Sequence, residues 1–463
     1  MRILAPYKKL GLTGIGAILF LINFQCGTGE PESPVVAIVE DRLIRAGEFA
    51  YAYELAPREL TRLDKLDARL AVLDRLTDRI VLAREAEKLG LDRADTLLQR
   101  ALDLYRRQAI NRELYRKYIR TPIAVSEDEE REAFRRSKIR YYIRHFESEV
   151  QEEAKSVVAG SRPFEHKPLY PGVETIQMEP FGYVDVIPWR DIPANIEELI
   201  VSLPMYQISE PVFLNGHYHL FQVVEQEREI LLRENDFFAN RESLRGILRK
   251  RKEAVAASAF VQDVMAPQGL IIKADALNRL TDQLWQQRPA GNAEQMEYIA
   301  NSEIRSITQN SSDLARQTIA VFRDGEMTVG DILFHYKVNP QKIGYKSKLA
   351  LRESLKNAVA LYVRDWVFSE KGIAEKLNRS PVVKEELRTR REFLLAQKMI
   401  NRLYREQANE DMSDEEFQKV LIAYTRNLKE NATIQVFEER LMAVNTSDEG
   451  LSRKIDFIAV QTQ

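Results

Sequence analysis

Cysteine occurs once in this chain of 463 residues, at Cys26. A lone cysteine forms no intramolecular disulfide, and no CxxC pair is present to hold a metal or run redox chemistry. Histidine is nearly as scarce, with five in all. Neither charge sign dominates: 68 Lys and Arg stand against 70 Asp and Glu. That balance argues against a nucleic-acid-binding surface spread over the whole protein. Also missing are GxxxxGK[ST], HExxH, GxSxG and a GxGxxG following a strand, so common nucleotide, zinc-peptidase and serine-hydrolase patterns are not found. Glycine and proline are few for the length, at 19 and 17, while Leu, Ala, Arg and Glu are plentiful. This is the composition of a mostly helical protein. With 44% hydrophobic and 30% charged residues, the chain can bury real cores beneath a charged surface, and its length suits two to four domains.

The N-terminus carries the compartment signal. Arg2, Lys8 and Lys9 precede an apolar run from Leu10 to Phe24. A basic stretch followed by about fifteen apolar residues has the form of a secretory signal peptide and is short for a stable membrane span. Cys26 comes directly after it, followed by the small, polar residues 27–34. A cysteine there looks like the lipid-accepting residue of a bacterial lipoprotein, although Asn23, Phe24 and Gln25 depart from the usual Leu-small-small lead-in. The expectation is export to the periplasm, a signal peptide over 1–26, a tether over 27–34 and a lipid anchor at Cys26.

From Val35, "VVAIVEDRLIRAGEFAYAYEL" reads as strand, turn, strand and helix. Amphipathic helices follow, one ending at Gly90, and Ser126–Glu129 has capping-box spacing. The arrangement recurs. "IAVFRDGEMTVGDILFHY" from Ile319 repeats the hairpin and helix, residues from Glu375 echo those from Glu87, and Ser413–Glu416 repeats the cap. This predicts a duplicated helical module. Between the copies, residues 139–228 carry strand patterns, and "SLPMYQISEPVFLNGHYHLFQVVEQ" holds His217 and His219. "RKRK" at Arg249–Lys252 reads as a solvated helix face. Phe49, Tyr51 and Tyr53 read as core residues, with a client-facing aromatic surface as the alternative.

In this order the motifs resemble exported chaperone-isomerases of the SurA, PrsA and PpiC group. Three stretches carry the likeness: "VVAIVEDRLIRAGEF", "LTDRIVLAREAEKLGL", and the segment from Leu203 to His219, which is similar to the closing segment of a parvulin prolyl isomerase. The implied fold is α+β and mostly helical. It comprises a helical chaperone module over 35–138, a degenerate parvulin-like domain over 139–228, and a return helix and strand over 229–285 completing the first module. A linker over 286–314 and a second module over 315–463 would follow.

The resemblance also implies a site. His219 falls on the second histidine of a parvulin, and His145 is the candidate for the first. Phe181, Ile192 and Ile196 fall on the apolar proline pocket, Glu174 lies nearest the central acid position, and Tyr206 replaces a turn glycine. Prolyl isomerisation needs such a pocket, because the barrier of about 18–20 kcal/mol is the loss of amide resonance. Here the polar set is incomplete. No metal and no cofactor are expected, since the His-x-His pair lacks further ligands at coordinating spacing; His166 and His335 have no assignable role. The function implied is a folding factor for unfolded or nascent exported polypeptides, possible clients including outer-membrane proteins, with a weak or inactive isomerase domain. An active peptidyl-prolyl isomerase and a structural adaptor of an envelope complex stand as alternatives.

Overall fold

The structure, a computed structural model, describes residues 33–57, 60, 65–93, 95–148, 150–193, 196–214, 217–229, 233–287, 298–310, 312–345, 347–407 and 412–446. Cys26, the leader and the tether up to residue 32 lie outside the described residues. Among the described residues, no helix is long and apolar enough to cross a membrane. The class is α+β and mostly helical. Two compact units are formed, one by the described residues of 1–89 and 396–463, the other by those of 90–395.

In the first unit, strands β1 (Val35–Val39) and β2 (Arg42–Arg45) form a hairpin. Helix α1 (Ala46–Glu54) and the long α2 (Lys65–Lys88) follow. The alternation of β1 turns Val36 and Val39 inward, and they pack with Phe49, Leu73, Leu76 and Ile80. Phe49 and Tyr53 are core residues as expected, whereas Tyr51 is 46% exposed.

The second unit begins with α3 (Thr96–Tyr115), capped by Asp95, whose carboxylate accepts from the amides of Leu97 and Leu98. Helix α4 (Glu127–Ser137) opens with the expected capping box: the Ser126 hydroxyl accepts from the Glu129 amide and the Glu129 carboxylate accepts from the Ser126 amide. Then come β3 (Ile139–Ser148), α5 (Gln151–Val158), β4 (Glu174–Met178), β5 (Gly182–Pro188), α6 (Glu197–Ser202), β6 (Val212–Leu214) and β7 (His217–Arg228). These five strands form one antiparallel sheet in the order β4-β5-β3-β7-β6. One face packs Tyr141, Ile143, Ile187, Phe221 and Val223 against α4 and the 32-residue α7 (Glu234–Met265) through Phe134, Phe237 and Leu244. Helix α5 covers the other face through Ala154 and Val157 on Phe146 and Leu220.

After α7 come β8 (Ile271–Ile272), α8 (Ala274–Gln287), α9 (Asn301–Asn310) and α10 (Ser312–Arg316). The segment expected to be a linker therefore holds two helices. Ile304, Ile307 and Leu314 are buried in the core that also contains Leu280 and Leu333. Its polar composition had masked apolar residues at helical spacing. The repeated hairpin is β9 (Thr318–Phe322) and β10 (Gly325–Thr328), followed by α11 (Val329–Val338), α12 (Lys348–Ala374) and α13 (Pro381–Gln407). Helix α14 (Asp414–Glu430) starts at Ser413 with the second expected capping box, and β11 (Ile434–Val436) and α15 (Glu438–Ala443) close the described chain.

The third strand of each small sheet comes from an unexpected place. The return strand β8 pairs with β9 of the second hairpin, while β1 of the first hairpin pairs with β11. The first sheet is thus completed by the end of the chain, not by residues 229–285. Each short apolar strand satisfies its backbone on an open hairpin edge, and nothing in a two- or three-residue strand specifies which edge.

Candidate active site at the paired histidines

The register of β3 on β7 places His145 opposite Phe221 and Glu147 opposite His219. His145 and His219 are therefore diagonal neighbours on one face of the sheet, within reach of each other's rings. Their rings stack at 5.2 Å, and His145 Nε2 lies 2.9 Å from His219 Nδ1. Phe221 stacks on His145 from the core side, at 5.3 Å.

Hydrogen-bond partners set the protons. His145 Nδ1 sits 2.9 Å from the carbonyl of Lys167, which only accepts, so this nitrogen carries the proton. Burial pushes the pKa of His145 down to about 4, against the opposing pull of the Lys167 carbonyl. At neutral pH the ring is uncharged, Nε2 accepts, and His219 Nδ1 donates to it. The other His219 nitrogen, Nε2, lies 3.1 Å from the carbonyl of Leu214. All four ring nitrogens of the pair thus face a partner within the protein.

Two residues without an assignable role in the sequence complete the arrangement. His166 Nδ1 accepts from the His145 amide at 3.2 Å, and its protonated Nε2 donates to Asp185 at 3.1 Å. Asp185 is fully buried and also accepts from the Leu169 amide and the Thr175 hydroxyl, both at 2.8 Å. Burial alone would raise the Asp185 pKa, but these three donors outweigh it and hold the carboxylate below its ordinary range. The network ties the connection between α5 and β4 to the sheet beneath the histidines. Asp185 lies on β5, at a position where spacing carries no signal of a network. Glu174, the nearest sequence candidate for the central acid, is exposed at the start of the edge strand β4.

The apolar residues assigned to the proline pocket separate into two groups. Ile192 and Ile196 are each 2% exposed and belong to the core under the sheet, alongside Trp189, Ile200 and Phe237. Arg251 of α7 fixes this segment by donating to the carbonyls of Trp189 and Ile192, at 3.2 and 3.1 Å, and by lying 4.3 Å from the Trp189 ring. The basic run is thus only half a solvated face: Arg249 and Lys250 are exposed, while Arg251 and Lys252 are engaged, Lys252 with Glu129 and the Ala124 carbonyl. Phe181 stands apart in the β4–β5 turn, where its ring stacks on Tyr206. His217 lies 3.5 Å from Glu147. Among the described residues, no group of three or more metal-ligating side chains is gathered.

No protein-family model and no curated protein matches this chain. Among solved structures it is similar to one of the two SurA-like chaperones of Campylobacter jejuni, PEB4 and Cj1289, at 14% identity and a TM-score of 0.20, over 50% of this chain and 96% of the other. It is also similar to the peptidylprolyl isomerase PrsA of Bacillus cereus, at 13% identity and a TM-score of 0.20, over 48% and 87%. The foldase protein PrsA of Streptococcus pneumoniae matches at 11% and 0.20, over 46% and 84%. Likeness at this level identifies neither the activity nor the substrate of this chain.

Proposed function

We propose that this chain is an exported periplasmic folding factor, held to a membrane through a lipid on Cys26, that binds unfolded or nascent envelope polypeptides, outer-membrane proteins included. Its parvulin-like domain acts as a binding module with little or no isomerase activity. The observation that carries the reading is the histidine pair itself: it sits at the parvulin-like motif, yet every ring nitrogen already faces a protein partner. A twisted prolyl amide would need a polar group free to favour it over the planar form. With Ile192 and Ile196 in the core, the apolar floor is likewise committed to packing.

The test combines two assays on the full chain. Unrelated proteins diluted from denaturant should aggregate less in its presence, and a panel of Xaa-Pro peptides should isomerise at the uncatalysed rate. Acceleration that disappears in His219→Ala would replace the binding reading with an active isomerase. The 2.9 Å His145–His219 contact is the feature favouring that second reading. No holding of unfolded chains, together with one stable co-purifying partner, would instead point to the adaptor.

A further inference from the structure

Three helices of the first unit enclose a mostly apolar groove. Helix α14 runs back along α2: Lys429 lies 2.8 Å from Asp74 and 2.7 Å from Asp78, and Tyr424 shares the groove with Glu85. Residues 399–407 of α13 supply the third wall. Leu89, Leu403, Val420 and Tyr424 line a space of about 530 Å³ over the buried Met399. That volume is in the range of a ligand site. Leu89 stands at one lip, 42% exposed. Burial, with the carboxylates of Glu85 and Glu406 close by, pushes the Tyr424 phenol above its ordinary range. The lining charges are of both signs. Arg402 donates to Glu406 at 2.6 Å, and Glu85 lies 3.5 Å from the exposed Lys88.

The chain itself carries a segment of matching chemistry. Residues 447–463 follow Thr446, the last described residue. They include Ile455, Phe457, Ile458, Ala459 and Val460, preceded by Arg453 and Lys454 and interrupted by Asp456. Thr446 is tied to the first turns of α2, its hydroxyl accepting from Arg69 at 2.9 Å. Arg69 and Glu85 stand about 24 Å apart along that helix. The chain from Thr446 to Ile455 reaches up to about 30 Å when extended, enough to bring the apolar run to the groove. We propose that residues 453–460 occupy this groove, Phe457 and Ile458 covering its apolar lining and the flanking charges answering Glu85, Arg402 and Glu406. The tether favours this occupant over a free partner, because a short link holds a segment at about millimolar effective concentration. The inference stands independently of the folding-factor reading.

The experiment is fluorescence anisotropy with a labelled peptide of residues 450–463 and three full-length proteins. These are the wild type, the double variant Phe457→Ser with Ile458→Ser, and that double variant carrying Ala423→Glu as well. Ala423 lines the groove at an exposed helical position, where glutamate is compatible with the fold. The peptide should bind the double variant at least tenfold more tightly than the wild type, whose own segment competes for the groove. Ala423→Glu should abolish that binding. Equal binding to the wild type and the double variant, or binding to neither, overturns the proposal. Binding that survives Ala423→Glu places the peptide elsewhere and also overturns it. A wild type that sediments as a dimer, and a double variant that sediments as a monomer, would assign the groove to the same segment of a second copy. An unrelated apolar peptide that binds the wild type as tightly as the double variant would assign it to an external partner. Either result overturns the intramolecular fit.

Discussion

Arg69 donates to the carbonyl of Leu441 at 2.5 Å, across 372 positions of sequence, and to that of Val444 at 2.9 Å. The guanidinium is 2% exposed and lies 5.5 Å from the Tyr53 ring, so it joins the first hairpin module to the end of the chain from inside the core. Replacing Arg69 by Leu keeps the bulk but leaves two carbonyls unpaired. We expect a loss of about 2–4 kcal/mol, seen as a lower urea midpoint at constant m-value.

A second expectation concerns Gly372. A Cβ added there would collide with Cγ2 of Ile110, which is itself fully buried. Gly372→Ala should destabilise by roughly 1–3 kcal/mol despite the higher helix propensity of alanine. In a double-mutant cycle with Ile110→Ala, the combined loss should be smaller than the sum of the single losses; strict additivity would show that the two positions do not touch.

Stability should fall in mild acid. The His145 pKa is pushed down to about 4, so between about 6.5 and 4 the unfolded chain binds the proton and the folded one does not. The stabilisation is therefore complete above 6.5 and is lost as pH falls through this window, by at most roughly 3 kcal/mol. His335, also pushed to about 4 by burial, adds in the same direction. His145→Gln should flatten the pH dependence of the denaturant midpoint, and an unchanged slope would refute the assignment.

Asp185→Asn should remove the charge that holds His166 and leave a buried amide among donors. A cost of about 2–4 kcal/mol follows. Hydrogen exchange should quicken first over residues 163–173, the connection that this carboxylate secures through the Leu169 amide. Uniform exchange across the domain would mean that the network does not pin that segment.

Local chemistry was legible from the residues alone. Ser126 and Ser413 cap their helices because a hydroxyl and a glutamate three positions apart satisfy each other's amides within a single turn. The hairpins at Val35 and Thr318 follow from alternation of apolar residues. Ile192 and Ile196 were less legible, since periodicity marks a residue as apolar without saying whether a helix such as α7 will cover it.

By itself, then, the sequence determined the mostly helical α+β class and the duplicated hairpin-and-helix pattern. Each of these depends on neighbours a few residues apart. Tertiary structure alone decided that β11 closes the first hairpin and β8 the second, that Asp185 and His166 anchor the paired histidines, and that Tyr206 meets Phe181. These contacts join residues far apart in the chain, where an open strand edge or a buried donor accepts whichever partner the packed chain delivers to it.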